Sequence, residues 1–123
     1  MATKFFVYRA LKDSLAAAGE WPGTVSIDTG CVFQLYSFCA TFMDSSLNDL
    51  SGWLDFQLGD THENIFSDSV RLNMLINSSR DPFVLAQPRD FKGGDVIKMT
   101  IKNNHASTTG YFKIAFFGIK IIG

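Results

Sequence analysis

The chain has 123 residues, a formal net charge of −1, 46% hydrophobic residues and 19% charged residues. That is the size and make-up of one folded domain with a sizeable core, and no repeat, low-complexity segment or linker divides it. No uncharged apolar run approaches the roughly 18 residues a membrane span needs. At the start, Arg9 and Lys12 interrupt any signal-like apolar stretch, so the expected site of synthesis is a cytoplasm, with release, if any, inside a particle. The triplet Asn77-Ser78-Ser79 then carries no meaning as a glycosylation signal.

Twelve Phe residues against 2 Trp and 3 Tyr point to a core of large flat side chains on pleated surfaces. The small net charge hides an imbalance. Between Asp13 and Val70 there are nine acidic residues and no Lys or Arg, while the basic residues sit in the first twelve positions and from Arg71 onward. This predicts either one acidic and one basic face, or a sheet whose neighbouring strands interleave the two signs.

In chain order, period-2 alternation dominates. Lys4–Leu11 reads as a first strand, with Phe5, Val7 and Leu11 on one side and Phe6, Tyr8 and Ala10 on the other. Leu11–Ala18 reads equally as more strand or as a short helix closed by Gly19. Residues 1–23 thus form either a first strand or an N-terminal arm. Trp21-Pro22-Gly23 reads as a turn, and Thr24–Thr29 as a short strand with Val25 and Ile27 inward.

Val32–Phe42 is a long strand that is apolar on both sides: Val32, Gln34, Tyr36, Phe38, Ala40 and Phe42 against Phe33, Leu35, Ser37, Cys39 and Thr41. A strand of that kind is covered on both faces or lies at a subunit contact. Cys31 and Cys39 lie too far apart along it to bridge and read as buried thiols.

Trp53–Leu58 is a half-buried strand and Gly59–Asp68 a polar loop. Val70–Ile76 is a further strand with a one-turn helix before it, and Asp81-Pro82 breaks the chain. Phe83–Leu85 is a short strand ended by Pro88, and Lys92-Gly93-Gly94-Asp95 a hairpin turn whose glycines supply positive φ. Val96–Lys102 buries Ile97, Met99 and Ile101, and Tyr111–Ile122 is a long central strand with a bulge or close approach at Gly118. Together these predict an all-β, jelly-roll-like antiparallel sandwich of about eight strands in a single domain, residues 1–123.

The residues needed for chemistry are scarce. His62 and His105 both fall in polar loops, and Asp60-Thr61-His62-Glu63 lacks the helical spacing of a strong metal motif. There is no Gly-x-Ser-x-Gly elbow, and thiols inside apolar strands are inert. The glycine turn precedes no helix and so has no helix N-terminus to hold a phosphate. Five lysines, Lys92, Lys98, Lys102, Lys113 and Lys120, lack the interleaved aromatics of a nucleic-acid groove. The residues point to no enzyme, metal or cofactor.

The pattern Phe91-x-x-Gly94-Asp95-x-Ile97-x-Met99-x-Ile101-x-Asn103, followed by Tyr111-Phe112-x-Ile114-x-Phe116-x-Gly118-Ile119-Lys120, resembles the closing hairpin of small jelly-roll structural proteins of tailed bacteriophages. With the pieces upstream, the resemblance runs from about residue 24 onward. It implies a capsid decoration or cement protein on the outer surface of a virion, without enzyme activity or cofactor. Its partners would be the major capsid protein and further copies of itself, as a homo-oligomer, with no nucleic acid, membrane or small-molecule substrate.

Within that picture Val32–Phe42 is the first candidate contact, through Tyr36, Phe38 and Phe42. The final hairpin would add Lys98, Lys102 and Lys113, which meet an acidic surface of residues 44–68 on a neighbouring copy. The alternative keeps both faces of that strand inside one sandwich. The rival function is a carbohydrate- or receptor-binding module of a tail or fibre, for which Trp21, Trp53 and Tyr111 are the available aromatic platforms.

Overall fold

A computed structural model describes residues 2–76 and 82–123. The triplet at 77–79 and Asp81 lie outside the described residues. Among the described residues there are eight strands: β1 (Ala2–Leu15), β2 (Glu20–Ser26), β3 (Cys31–Met43), β4 (Leu54–Gly59), β5 (Val70–Arg71), β6 (Phe83–Lys92), β7 (Val96–Asn103) and β8 (Gly110–Ile122). They form two antiparallel four-stranded sheets, in the orders β1-β8-β3-β6 and β2-β7-β4-β5. Pairing 1 with 8, 2 with 7, 3 with 6 and 4 with 5 is the wrapping of a jelly roll, so the expected class holds.

The core lies between the sheets. Phe33, Phe38, Phe42, Phe91, Phe112 and Phe116 from the first sheet meet Leu54, Phe56, Leu58, Ile97, Met99 and Ile101 from the second, all almost completely buried. Phe38 sits at the aromatic centre, with ring centroids 5.5 Å from Phe56, 5.3 Å from Phe83 and 6.3 Å from Phe116.

Jelly-roll wrapping corrects both hairpins read from the sequence. β6 and β7 lie in different sheets, so Lys92–Asp95 is a crossing between layers. Only Gly94 takes a positive φ, +86°, while Gly93 is needed because a side chain there would strike the carbonyl oxygens of Cys31 and Asp28. β7 and β8 likewise face each other across the core. Fully buried Asn103 stitches that crossing, its Nδ2 donating to the carbonyls of Leu15 at 3.0 Å and Thr108 at 2.9 Å. Its Oδ1 accepts from the His105 backbone N–H, so the buried amide is satisfied from three sides.

Other element boundaries move for identifiable reasons. Leu11–Leu15 continues β1 as strand, with an irregularity between Lys12 and Leu15 where Ser14 takes φ 66°. Trp21-Pro22-Gly23 is strand rather than turn: β2 is an edge strand, where the missing N–H of Pro22 costs no ladder bond. β6 runs on through Pro88 for the same reason. In the stretch read as a strand at 70–76, only Val70–Arg71 pairs. Leu72–Leu75 is a one-turn helix, α1, because Leu72, Leu75 and Ile76 pack at helical spacing and Met74 is left exposed. Trp53 closes a one-turn 3-10 helix instead of opening β4.

The largest correction is in β3. A bulge between Leu35 and Ser37 leaves Tyr36 without a partner in either ladder. Cys31, Phe33 and Leu35 point inward before it, and Phe38, Ala40 and Phe42 after it. The strand appeared apolar on both faces because its phase flips half-way. Cys39 is therefore only half-buried, whereas Cys31 is buried.

Candidate functional site

The two outward faces of the sandwich differ sharply. On the β2-β7-β4-β5 sheet the register sets Glu20, Lys102, Asp55 and Arg71 in one row, so the signs alternate across four strands. Arg71 Nε closes the row with a 2.9 Å ion pair to Asp55. The acidic middle and basic end of the chain interleave here within a single copy. Of the two arrangements the charge pattern allows, this sheet shows the interleaved one. Trp53 stands beside this face, 47% exposed, edge-on to His105 at 5.0 Å.

The outer face of the β1-β8-β3-β6 sheet is apolar instead. Its central rows are Phe5–Ile119–Gln34 and Val7–Phe117–Ser37, with Thr3–Ile121–Val32 beyond them. Phe5 is 69% exposed and stacks on Phe117 at 6.4 Å. Beside this ridge the small side chains of Ala115, Cys39 and Thr41 leave a trough of about 330 Å³, bordered by Arg9, Leu11 and Lys113. The trough continues toward Met43, Leu47 and Tyr111.

The residues singled out from the sequence are scattered by this arrangement. Phe38 and Phe42 are core and contact no solvent. Lys98 and Lys102 lie on the polar sheet, and Lys113 lies on the opposite outer face, because β7 and β8 belong to different sheets. Of the six, only Tyr36 and Lys113 reach the apolar face; the Tyr36 hydroxyl donates to Gln34 Oε1 at 2.7 Å. The apolar side chains this face presents are exposed Phe5, Val7 and Leu11 with half-buried Phe117 and Ile119. The signal was present in β8, which alternates between two apolar faces although only one faces the core. Among the aromatic platforms, Trp21 is spent inside, half-buried over Gly23, where any side chain would collide with the indole.

Two ion-pair clusters pin connecting loops to the first sheet. Lys120 projects from the inner side of β8 and pairs with Asp28, while its Nζ lies 3.8 Å from the centroid of the Phe6 ring. The Tyr8 hydroxyl donates to Asp28 at 3.2 Å, and burial raises the Tyr8 pKa, keeping that donor protonated. Asp28 is held below its ordinary value by the hydrogen bond from Lys120 and by its charge.

On the other side Arg89 bonds Asp60 at 2.9 Å and Glu63 at 3.0 Å. Burial pushes the Asp60 carboxyl up, but the backbone N–H groups of Glu63 and His62, with Arg89, outweigh it and hold the pKa at about 2. A depressed carboxylate stabilises the fold above its unfolded value of 3.8 and loses that contribution as pH falls toward 2. Acid unfolding of the chain is therefore expected to begin below about pH 4, and Asp60→Asn to flatten stability across that window. Equal pH dependence in the two proteins, measured by urea melts, would remove Asp60 from this role. Among the described residues, no three His, Cys, Asp or Glu side chains converge as a metal site would require.

No family model matches the chain, and no curated protein is similar to it. Among solved structures, dimeric latent PorU from Porphyromonas gingivalis aligns over 93% of this chain and 13% of its own length, with 10% identity and a TM-score of 0.35. A likeness that loose carries no argument.

Proposed function

We propose that this chain is a non-enzymatic assembly module that seats the outer face of its β1-β8-β3-β6 sheet on another protein. The observation that carries the reading is that apolar face. The whole sheet face, four strands about 4.8 Å apart and about twelve residues long, spans roughly 800 Å², close to one partner's share of a standard protein interface, with Arg9, Lys113, Gln34 and Asp90 set around its apolar ridge. A contiguous ridge that exposes Phe5 and Val7 beside Phe117 and Ile119, with Leu11 at its end, marks an interaction surface. The resemblance to phage jelly-roll structural proteins supplies the partner class: the major capsid protein, on the outer surface of a virion assembled in a host cytoplasm.

Co-sedimentation with phage heads stripped of this protein tests the reading. Phe117→Lys and Ile119→Lys should each weaken capture at least about tenfold, since each buries a charge in an apolar contact, while Lys98→Glu on the polar face should leave it unchanged. Capture that survives both lysine substitutions would sink it. The carbohydrate-binding alternative rests on the exposed Trp53 beside His105 and Asn104, whose Nδ2 donates to Asp55 at 2.9 Å. Quenching of Trp53 fluorescence by a sugar panel, with no capture on heads, would favour that alternative.

A further inference from the structure

Sheet edges carry unpaired backbone groups, and this sandwich blunts three of its four. β2 carries Pro22, β5 is two residues long, and β6 carries Pro88 within a stretch, Leu85–Pro88, that bows out opposite the β3 bulge. The fourth edge is β1. It runs for fourteen residues without proline, and within its sheet it pairs with β8 alone. Among the described residues it is the sole long, proline-free edge, and its outward side chains Phe5, Val7 and Leu11 are exposed.

We infer that two copies of this chain join antiparallel along β1, about a two-fold axis at Val7, into one continuous eight-stranded sheet. The occupant is a second copy because the strand is complementary to itself. To keep both apolar faces on one side, each outward residue must meet an outward residue of the partner strand. Centred on Val7, the pairing sets Val7 against Val7, Phe6 against Tyr8, Phe5 against Arg9, and Lys4 against Ala10, with no like charges opposed.

Longer registers fail. Moving the axis to Tyr8 opposes Lys4 to Lys12, and moving it to Arg9 opposes the two Arg9 side chains. Val7 therefore centres an eleven-residue register, Ala2–Lys12, that avoids repulsion; the equally long one about Ala10 would run through the irregularity between Lys12 and Leu15, where Ser14 takes φ 66°. Pairing also places the Arg9 guanidinium beside the exposed ring of Phe5, a favourable cation–aromatic contact. The dimer joins two apolar sheet faces edge to edge and doubles the docking surface, yet its formation does not depend on what that surface docks to.

Sedimentation equilibrium and hydrogen exchange on the full chain test the inference. The wild type should be dimeric at roughly 100 µM, with β1 amides protected in proportion to concentration. Val7→Lys opposes two lysines at the axis and Phe5→Arg opposes two arginine pairs. Each should weaken the dimer by at least about tenfold while preserving circular dichroism and melting temperature. Phe5 is exposed enough to accept arginine without loss of fold. Val84→Lys, at the far edge of the same face, should leave the dimer intact. Loss of dimer in Val84→Lys would mean that copies stack face to face, and would overturn edge pairing. So would a monomeric wild type, or a dimer that tolerates both β1 substitutions.

Discussion

Gly118→Val is expected to leave the chain unfolded, and Gly118→Ala to be strongly destabilised, as read by circular dichroism and thermal melts. Gly118 lies on the inner side of β8, opposite Leu35 where the bulge of β3 begins. A side-chain carbon there would strike the carbonyl oxygen of Gln34 and come within 2.7 Å of the Phe33 ring. Neither can yield: the oxygen belongs to a central strand and Phe33 has no exposed surface. Overpacking by one methylene costs about 1–3 kcal/mol even against movable side chains, and a domain of this size has only about 5–15 kcal/mol in reserve. Gly94→Ala provides the contrast. It has open space around it and needs only φ +86°, so its cost is limited to the left-handed conformation, about 1–2 kcal/mol. Similar melting temperatures for the two alanine variants would show that β8 does not press on the bulge.

The same bulge marks how far the sequence could be read. Alternation located β1, β3, β7 and β8, because apolar residues every second position have few other uses in a chain with 12 Phe. Gly118 stood out as a missing side chain in an otherwise large-residue face. Three kinds of information were not legible. A phase flip inside β3 looks, in one dimension, like a strand apolar on both sides, and it sent Phe38 and Phe42 to a surface they never reach. The meaning of a proline depends on whether its strand is central or at an edge, and only the sheet order decides that for Pro22 and Pro88. Neighbouring strands in the chain look like hairpins, whereas jelly-roll wrapping sends each to the opposite layer. That last point separated Lys98 and Lys102 from Lys113, and hid the apolar outer face behind the assumption that apolar means inside.

Phe38→Ala should cost about 3–5 kcal/mol, a drop in melting temperature of roughly 10–20 °C, whereas Tyr36→Ala should stay within about 1 kcal/mol. The two residues are two positions apart and share a face on a regular strand, so equal environments would be expected without the bulge. With it, Phe38 contacts the rings of Phe56, Phe83 and Phe116 and has no exposed surface, so truncation opens a cavity between the two sheets. The cavity cannot collapse easily, because its walls are two hydrogen-bonded sheets held at a fixed spacing by the remaining aromatic residues. Tyr36 is 38% exposed, and its removal gives up one hydrogen bond to Gln34 at the surface. The capsid capture assay separates the residues in the opposite sense: Tyr36→Ala trims the rim of the apolar face, while Phe38→Ala, if measured well below its melting temperature, leaves that face intact. Matching destabilisation at both positions would place the phase change elsewhere in β3, and with it the face assigned to Ser37, Cys39 and Thr41.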